Sequence, residues 1–213
     1  MDKGRIAAKA VLWIICLAPV ARLGWGGLHP ESNLLGVNPV QYLLWAFGWW
    51  ALLWLTLTLA ITPLRCVTGW PWLARFQRPL GLFAFAYAAL HFLTYALLDQ
   101  AGAWGQIPGD LVKRPFIVVG MLTLLILLAL AITSTKGWQR RLKLNWKRLH
   151  RLIYLAAILA VLHFAWKEKV GWKEPRVLLF AGAVAVLLLA RLIKATSGTG
   201  KPARTRPGPT TAV

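Results

Sequence analysis

The residues with chemistry to offer are histidines, four in 213 residues. His150 opens and His163 nearly closes the run NWKRLHRLIYLAAILAVLHFAWK, which carries no charge from Leu152 to Trp166. His91 stands in a second charge-free run, PLGLFAFAYAALHFLTYALL. An ionisable side chain inside such a run is costly and marks a site by default, with a partner to be found. On a helix rising 1.5 Å per residue, His150 and His163 lie about 20 Å apart, which makes two depths rather than one site. His91 lies 13 residues past Arg78 and His163 15 residues past Arg148, so both fall in the outer half at matching depth.

Haem b needs two axial nitrogens from facing helices at equal depth, with apolar walls for the macrocycle. His91 with His163 meets that condition as a pair of haem-iron ligands, and the flanking Ala, Leu and Phe supply walls. A proton or ion path would use Asp or Glu inside the spans, and the apolar runs hold none. A zinc site would place histidines at i, i+3 or i+4, or beside a carboxylate. The bland alternative is a haem-free bundle, a transporter or assembly protein, whose histidines hydrogen-bond across helices. No catalytic residue is assigned.

His150 is less defined. Thirteen residues at 100° each set it about 140° around an ideal helix from His163. A second haem near the basic end would need a partner early in the third span, where Gln77 and Arg78 stand instead of a histidine. A second haem with a single histidine, a quinone contact, a flavin contact and a plain interfacial histidine all stay open. His29, beside Pro30 and Glu31, reads as a solvated loop residue. Cys16 and Cys66 lie in different segments and no C-x-x-C-H occurs, so any haem is held by side-chain ligands alone.

The elements that position these groups are membrane spans. The chain is 58% hydrophobic and shows six apolar runs, near 8–24, 40–62, 79–98, 115–134, 149–166 and 176–194. Most match the roughly 20 residues that cross about 30 Å of hydrocarbon. The fold class is an all-α six-span bundle, one unit over residues 1–195, with 196–213 a disordered basic tail. The net charge of +19 is arranged by topology. With both termini cytoplasmic, 18 of the 25 Lys and Arg fall on the cytoplasmic side. That placement argues against nucleic acid and for contact with membrane lipid. Residues 1–24 also admit reading as a cleaved signal peptide. Pro63 is expected to end the second span, where Trp45, Trp49 and Trp50 could flank a flat ring but fit packing better. The fourth span, rich in Leu, Ile and Val, is expected to carry no site.

The segments RPLGLFAFAYAALHFLTYALL, KRPFIVVGMLTLLILLALAITS and LNWKRLHRLIYLAAILAVLHFAW resemble the MsrQ (YedZ) family, among the ferric-reductase-like transmembrane domains. The resemblance covers residues 1–195. It implies a b-type cytochrome subunit of the bacterial inner membrane, with one or two haems. It implies electrons taken from the quinone pool, with FMN associated, and passed to the periplasmic molybdopterin subunit MsrP, which repairs methionine sulfoxide in proteins. The H-x12-H spacing of the fifth span belongs to the wider group, but Gln77 replaces a histidine that group carries. The residues add one point: no G-x-G-x-x-G and no nicotinamide domain is present, so an outside donor is required. A ferric-chelate reductase is the alternative within the haem class. Loops 25–39 and 99–114 would meet the partner.

Overall fold

A computed structural model describes residues 3–168 and 171–197. Among them every regular element is helical. The helices are α1 (Lys3–Leu28), α2 (Pro39–Thr68), α3 (Ala74–Leu93), α4 (Ile107–Lys113), α5 (Pro115–Ile132), α6 (Lys136–Leu142), α7 (Leu144–His150), α8 (Leu152–Lys167) and α9 (Pro175–Ser197). Six segments are long and apolar enough to cross a membrane, with α7 and α8 forming one of them. These are the six spans read from the apolar runs. Most of the predicted disordered tail lies outside the described residues, while α9 continues through Ser197.

Lipid is as apolar as leucine, so helices in a membrane associate through close packing and hydrogen bonds rather than through water exclusion. The packing follows that rule. Ala84, Ala156, Ala157 and Ala165 are almost fully buried, and their small size lets backbones approach. Helix α2 is the hub, 44% buried in its span against 17–28% for the other five. It packs along α3 and also meets α1, α8 and α9.

Local sequence sets the ends. Asn38 caps α2, its Oδ1 accepting from the Gln41 N–H at 3.1 Å, and Pro39 fills the first turn, where no N–H is needed. Pro115 opens α5 in the same way. Gly69, at φ 69°, ends α2 in a left-handed cap. Pro63, expected to end this helix, does not. It only deprives the Leu59 carbonyl of its usual donor four residues on. Arg191 of α9 supplies the substitute, donating from Nη2 to Leu59 O at 2.6 Å, with its guanidinium over the Tyr154 ring at 5.0 Å. A break in one helix becomes a tie to another.

A second tie lies beside Pro19. The Tyr87 hydroxyl of α3 enters the ladder of α1, donating to Cys16 O at 2.7 Å and accepting from the Val20 N–H at 3.1 Å. Tyr87 and Cys16 are both fully buried there. Interhelical hydrogen bonds in a bilayer contribute about 0.6 kcal/mol on average and up to ~1.7 kcal/mol. Tyr87→Phe, in a Cys66→Ser background, is therefore expected to raise maleimide labelling of Cys16 about threefold or more, the ratio those energies set. An unchanged labelling rate would show that the hydroxyl does not hold α1.

Candidate functional site

Helices α3 and α8 bring His91 and His163 together, with ring centroids 6.1 Å apart and ring planes at 87°. The match in depth inferred from sequence is a true juxtaposition. Each ring is fixed by a backbone carbonyl of the helix beside it. His91 Nδ1 donates to Leu44 O of α2 at 2.8 Å, and His163 Nδ1 donates to Phe116 O of α5 at 2.7 Å. A helical carbonyl has a second lone pair for such a bond, and only the protonated nitrogen can make it. Each ring therefore carries its proton on Nδ1 and keeps Nε2 as a free lone pair, the ligating form of imidazole.

Access to those carbonyls depends on glycine. The Cα–Cβ bond of a helical residue tilts toward the N-terminus, so the side chain at i+4 covers the carbonyl at i. Four residues past Leu44 is Gly48, and four past Phe116 is Gly120. A Cβ on Gly48 would stand 3.1 Å from His91 Nδ1, and one on Gly120 2.8 Å from His163 Nδ1 and Cε1. The three pairs Leu44/Phe116, Gly48/Gly120 and His91/His163 share one spacing of 72 residues. Two helical hairpins, α2–α3 and α5 with α8, thus present the same device from opposite sides. The fourth span, expected to carry no site, supplies half of it.

Both rings line a cavity of about 350 Å³. Its walls are Leu52, Leu55, Ala88, Leu124, Leu127 and Ala160 among other apolar residues, with Trp45, Trp49, Phe92, Phe116 and Phe164 as aromatic faces. Gln41, Asp99, Arg114, Lys167 and Glu168 are its charged and amide groups, all from helix ends and loops at one face. After His91, α3 passes into a π-helical turn, Thr94–Asp99, and Tyr95 from this turn donates to Asp110 Oδ2 at 2.8 Å. Metal–imidazole bonds run about 2.0–2.1 Å, so one metal between two rings sets their centroids roughly 6 Å apart. The observed separation, the free Nε2 atoms and the apolar walls suit a flat metal macrocycle. Among the described residues no group of three or more His, Cys, Asp or Glu could hold a bare ion.

The other sequence candidates lie elsewhere. His150 ends α7, stacked on Trp146 at 4.1 Å, with Nε2 3.1 Å from Thr133 Oγ1, and is not among the residues lining the cavity. Trp146 Nε1 donates to Thr133 O at 2.9 Å, which locks the same corner. Gln77 and Arg78 do not line the cavity either. His29 stacks on Trp25, centroids 3.7 Å apart, with Nδ1 on the Trp25 carbonyl. Of the four tryptophans on α2, Trp45 and Trp49 stack at 5.6 Å and line the cavity, whereas Trp50 pairs with Trp54.

Comparison with known proteins places the chain in a family. Residues 47–161 match the family described as ferric reductase like transmembrane component. The matched stretch holds Gly48, His91 and Gly120 and stops two residues short of His163. A protein of Xanthomonas euvesicatoria pv. vesicatoria, named protein-methionine-sulfoxide reductase heme-binding subunit MsrQ, is 49% identical over 206 residues, covering 93% of this chain and 92% of its own. A protein of the same name from Xanthomonas campestris pv. campestris is 50% identical over 202 residues, and one from Rhodospirillum rubrum 44% over 195.

Adding a methyl group to a packed helix contact costs about 1–3 kcal/mol. Gly120→Ala, with the closer contact, is expected to lower the haem content of the purified protein more than Gly48→Ala. Both should exceed Gly182→Ala, which has nothing within 4 Å of the added atom. Pyridine haemochrome against total protein measures this, and equal haem content in all three variants would contradict it.

Proposed function

The chain belongs to the MsrQ haem-binding subunits of protein-methionine-sulfoxide reductase, within the ferric reductase like transmembrane component family, and we propose that His91 and His163 are the axial ligands of a b-type haem in it. The observation that carries this reading is the pairing of the two histidines across the cavity through equivalent carbonyl bonds. A haem held by two imidazoles supplies one-electron transfer with no open iron position for oxygen chemistry.

The protein's own residues do the rest. Leu44 O and Phe116 O hold the two Nδ1 protons and so keep both Nε2 atoms unprotonated. Leu52, Leu55, Leu124 and Leu127 exclude water from the deep end of the cavity. Trp45 and Trp49 give it flat walls. The charged groups at the mouth mark the end open to the face that carries residues 99–114.

In this reading the chain is a multi-pass subunit of the bacterial inner membrane, both termini cytoplasmic, connecting a donor on the membrane or cytoplasmic side with an acceptor outside. The donor is the quinone pool, with FMN as an associated cofactor. The acceptor is the periplasmic molybdopterin subunit MsrP, which meets loops 25–39 and 99–114 and reduces methionine sulfoxide in proteins. His150 sits at the cytoplasmic end, its ring packed between Trp146 and Thr133. That packing supports a contact for the electron donor there rather than ligation of a second haem.

Purified protein reduced with dithionite is expected to show a sharp low-spin b-type spectrum. His91→Ala and His163→Ala should each abolish it, and His150→Ala should retain it. A spectrum unchanged in both of the first two variants would overturn the ligand assignment, and a colourless wild-type protein would overturn the haem reading. The reduced protein should be oxidised faster by MsrP than by ferric citrate, and the reverse order would favour a ferric-chelate reductase.

A further inference from the structure

The two halves of the site match at the histidines and glycines but not at the mouth. The 72-residue spacing that relates His91 to His163 pairs Tyr42 with Arg114 and Tyr95 with Lys167. One hairpin therefore carries phenols where the other carries cations, and of the two phenols Tyr95 lines the cavity while Tyr42 packs on the core beside it. Among the described residues, Arg114 and Lys167 are the only cationic side chains lining the cavity. Lys167 stands four residues past His163, on the same side of α8, and Arg114 two residues before the carbonyl that holds the His163 ring.

Neither cation is saturated. Lys167 forms no ion pair among the described residues, although Glu168 adjoins it in sequence and Asp99 lines the same mouth. Arg114 has only a long contact to its neighbour Asp110, Nε to Oδ1 at 3.8 Å, and that carboxylate already accepts from Tyr95 and Gln100. Two cations with donors to spare, at the polar mouth of a cavity whose deep walls are apolar, suit a ligand with two carboxylates at one end and an apolar body. Half-buried carboxylates need such partners, and charge-assisted bonds to Lys and Arg are the strong kind.

We infer that Arg114 and Lys167 form a dicarboxylate subsite that anchors the two propionate groups of the haem, with the propionate edge at the outer mouth on the His163 side. The inference rests on the haem reading above. It fixes which edge faces the outer partner, and it explains why the repeat departs from symmetry at these two positions.

The test is uptake by protein produced without haem of two porphyrins, haemin and its dimethyl ester, in which both side groups are capped as uncharged methyl esters. Wild-type protein is expected to bind haemin about tenfold more tightly, the ratio that one charge-assisted hydrogen bond of about 1.5 kcal/mol sets. In Arg114→Gln/Lys167→Gln the ratio should fall to about one, with each single variant between. Arg114→Lys/Lys167→Arg should keep most of it, as should Tyr42→Phe. Wild-type protein that takes up both porphyrins equally overturns the subsite and leaves the haem site standing, as does a double variant that keeps the tenfold ratio. Protein that takes up neither porphyrin overturns the haem reading itself.

Discussion

Everything at the site depends on a hydrogen bond from a histidine ring to a carbonyl already committed to its own helix. A bilayer interior has no water to orient an imidazole, and a ring left free would turn about two side-chain torsions. The bonds from His91 to Leu44 O and from His163 to Phe116 O remove that freedom. They also fix the tautomer, which makes ligation geometry and proton placement one constraint. The carbonyls are reachable only because glycine follows four residues later in each case.

The same constraint governs how the bundle packs. Each ring needs its neighbouring helix within hydrogen-bond range, so α2 must lie close on α3 and α5 close on α8, and these are the most extensive pairings in the fold. The remaining spans are tied on through backbone irregularities. Pro63 frees a carbonyl for Arg191, and the Pro19 region admits the Tyr87 hydroxyl. Helix-breaking residues serve here as docking points, as lipid requires when a backbone group loses its partner.

Much of this was legible in the sequence, because hydropathy and depth are both one-dimensional. The apolar runs gave six spans, and counting from the basic edges placed His91 opposite His163. What escaped was information that exists only between helices. Gly120 sits in a Leu, Ile and Val run, and nothing local distinguishes it from a packing glycine until His163 is seen against it. Pro63 looked like a terminator because its compensating donor lies 128 residues on, at Arg191. The repeat left traces: Leu90-His91-Phe92 matches Leu162-His163-Phe164, and LTLAIT at Leu57–Thr62 resembles LALAIT at Leu128–Thr133. The LTLAIT and LALAIT segments stand 71 residues apart rather than 72, a one-residue slip that interrupts the match between the glycine pair and the histidine pair. His150 had no partner in the third span, and the structure accounts for it by Thr133 and Trp146 instead.

The central claim is that two histidines, held with their planes nearly perpendicular, ligate one iron. Low-temperature electron paramagnetic resonance of the oxidised protein tests it most directly, because the angle between axial imidazole planes sets the anisotropy of a low-spin ferric signal. Planes at 87° predict a strongly anisotropic low-spin signal with one very large g value. A high-spin signal would mean that one histidine does not ligate. A rhombic low-spin signal of modest spread would mean parallel planes, and that the carbonyl bonds do not set the rings.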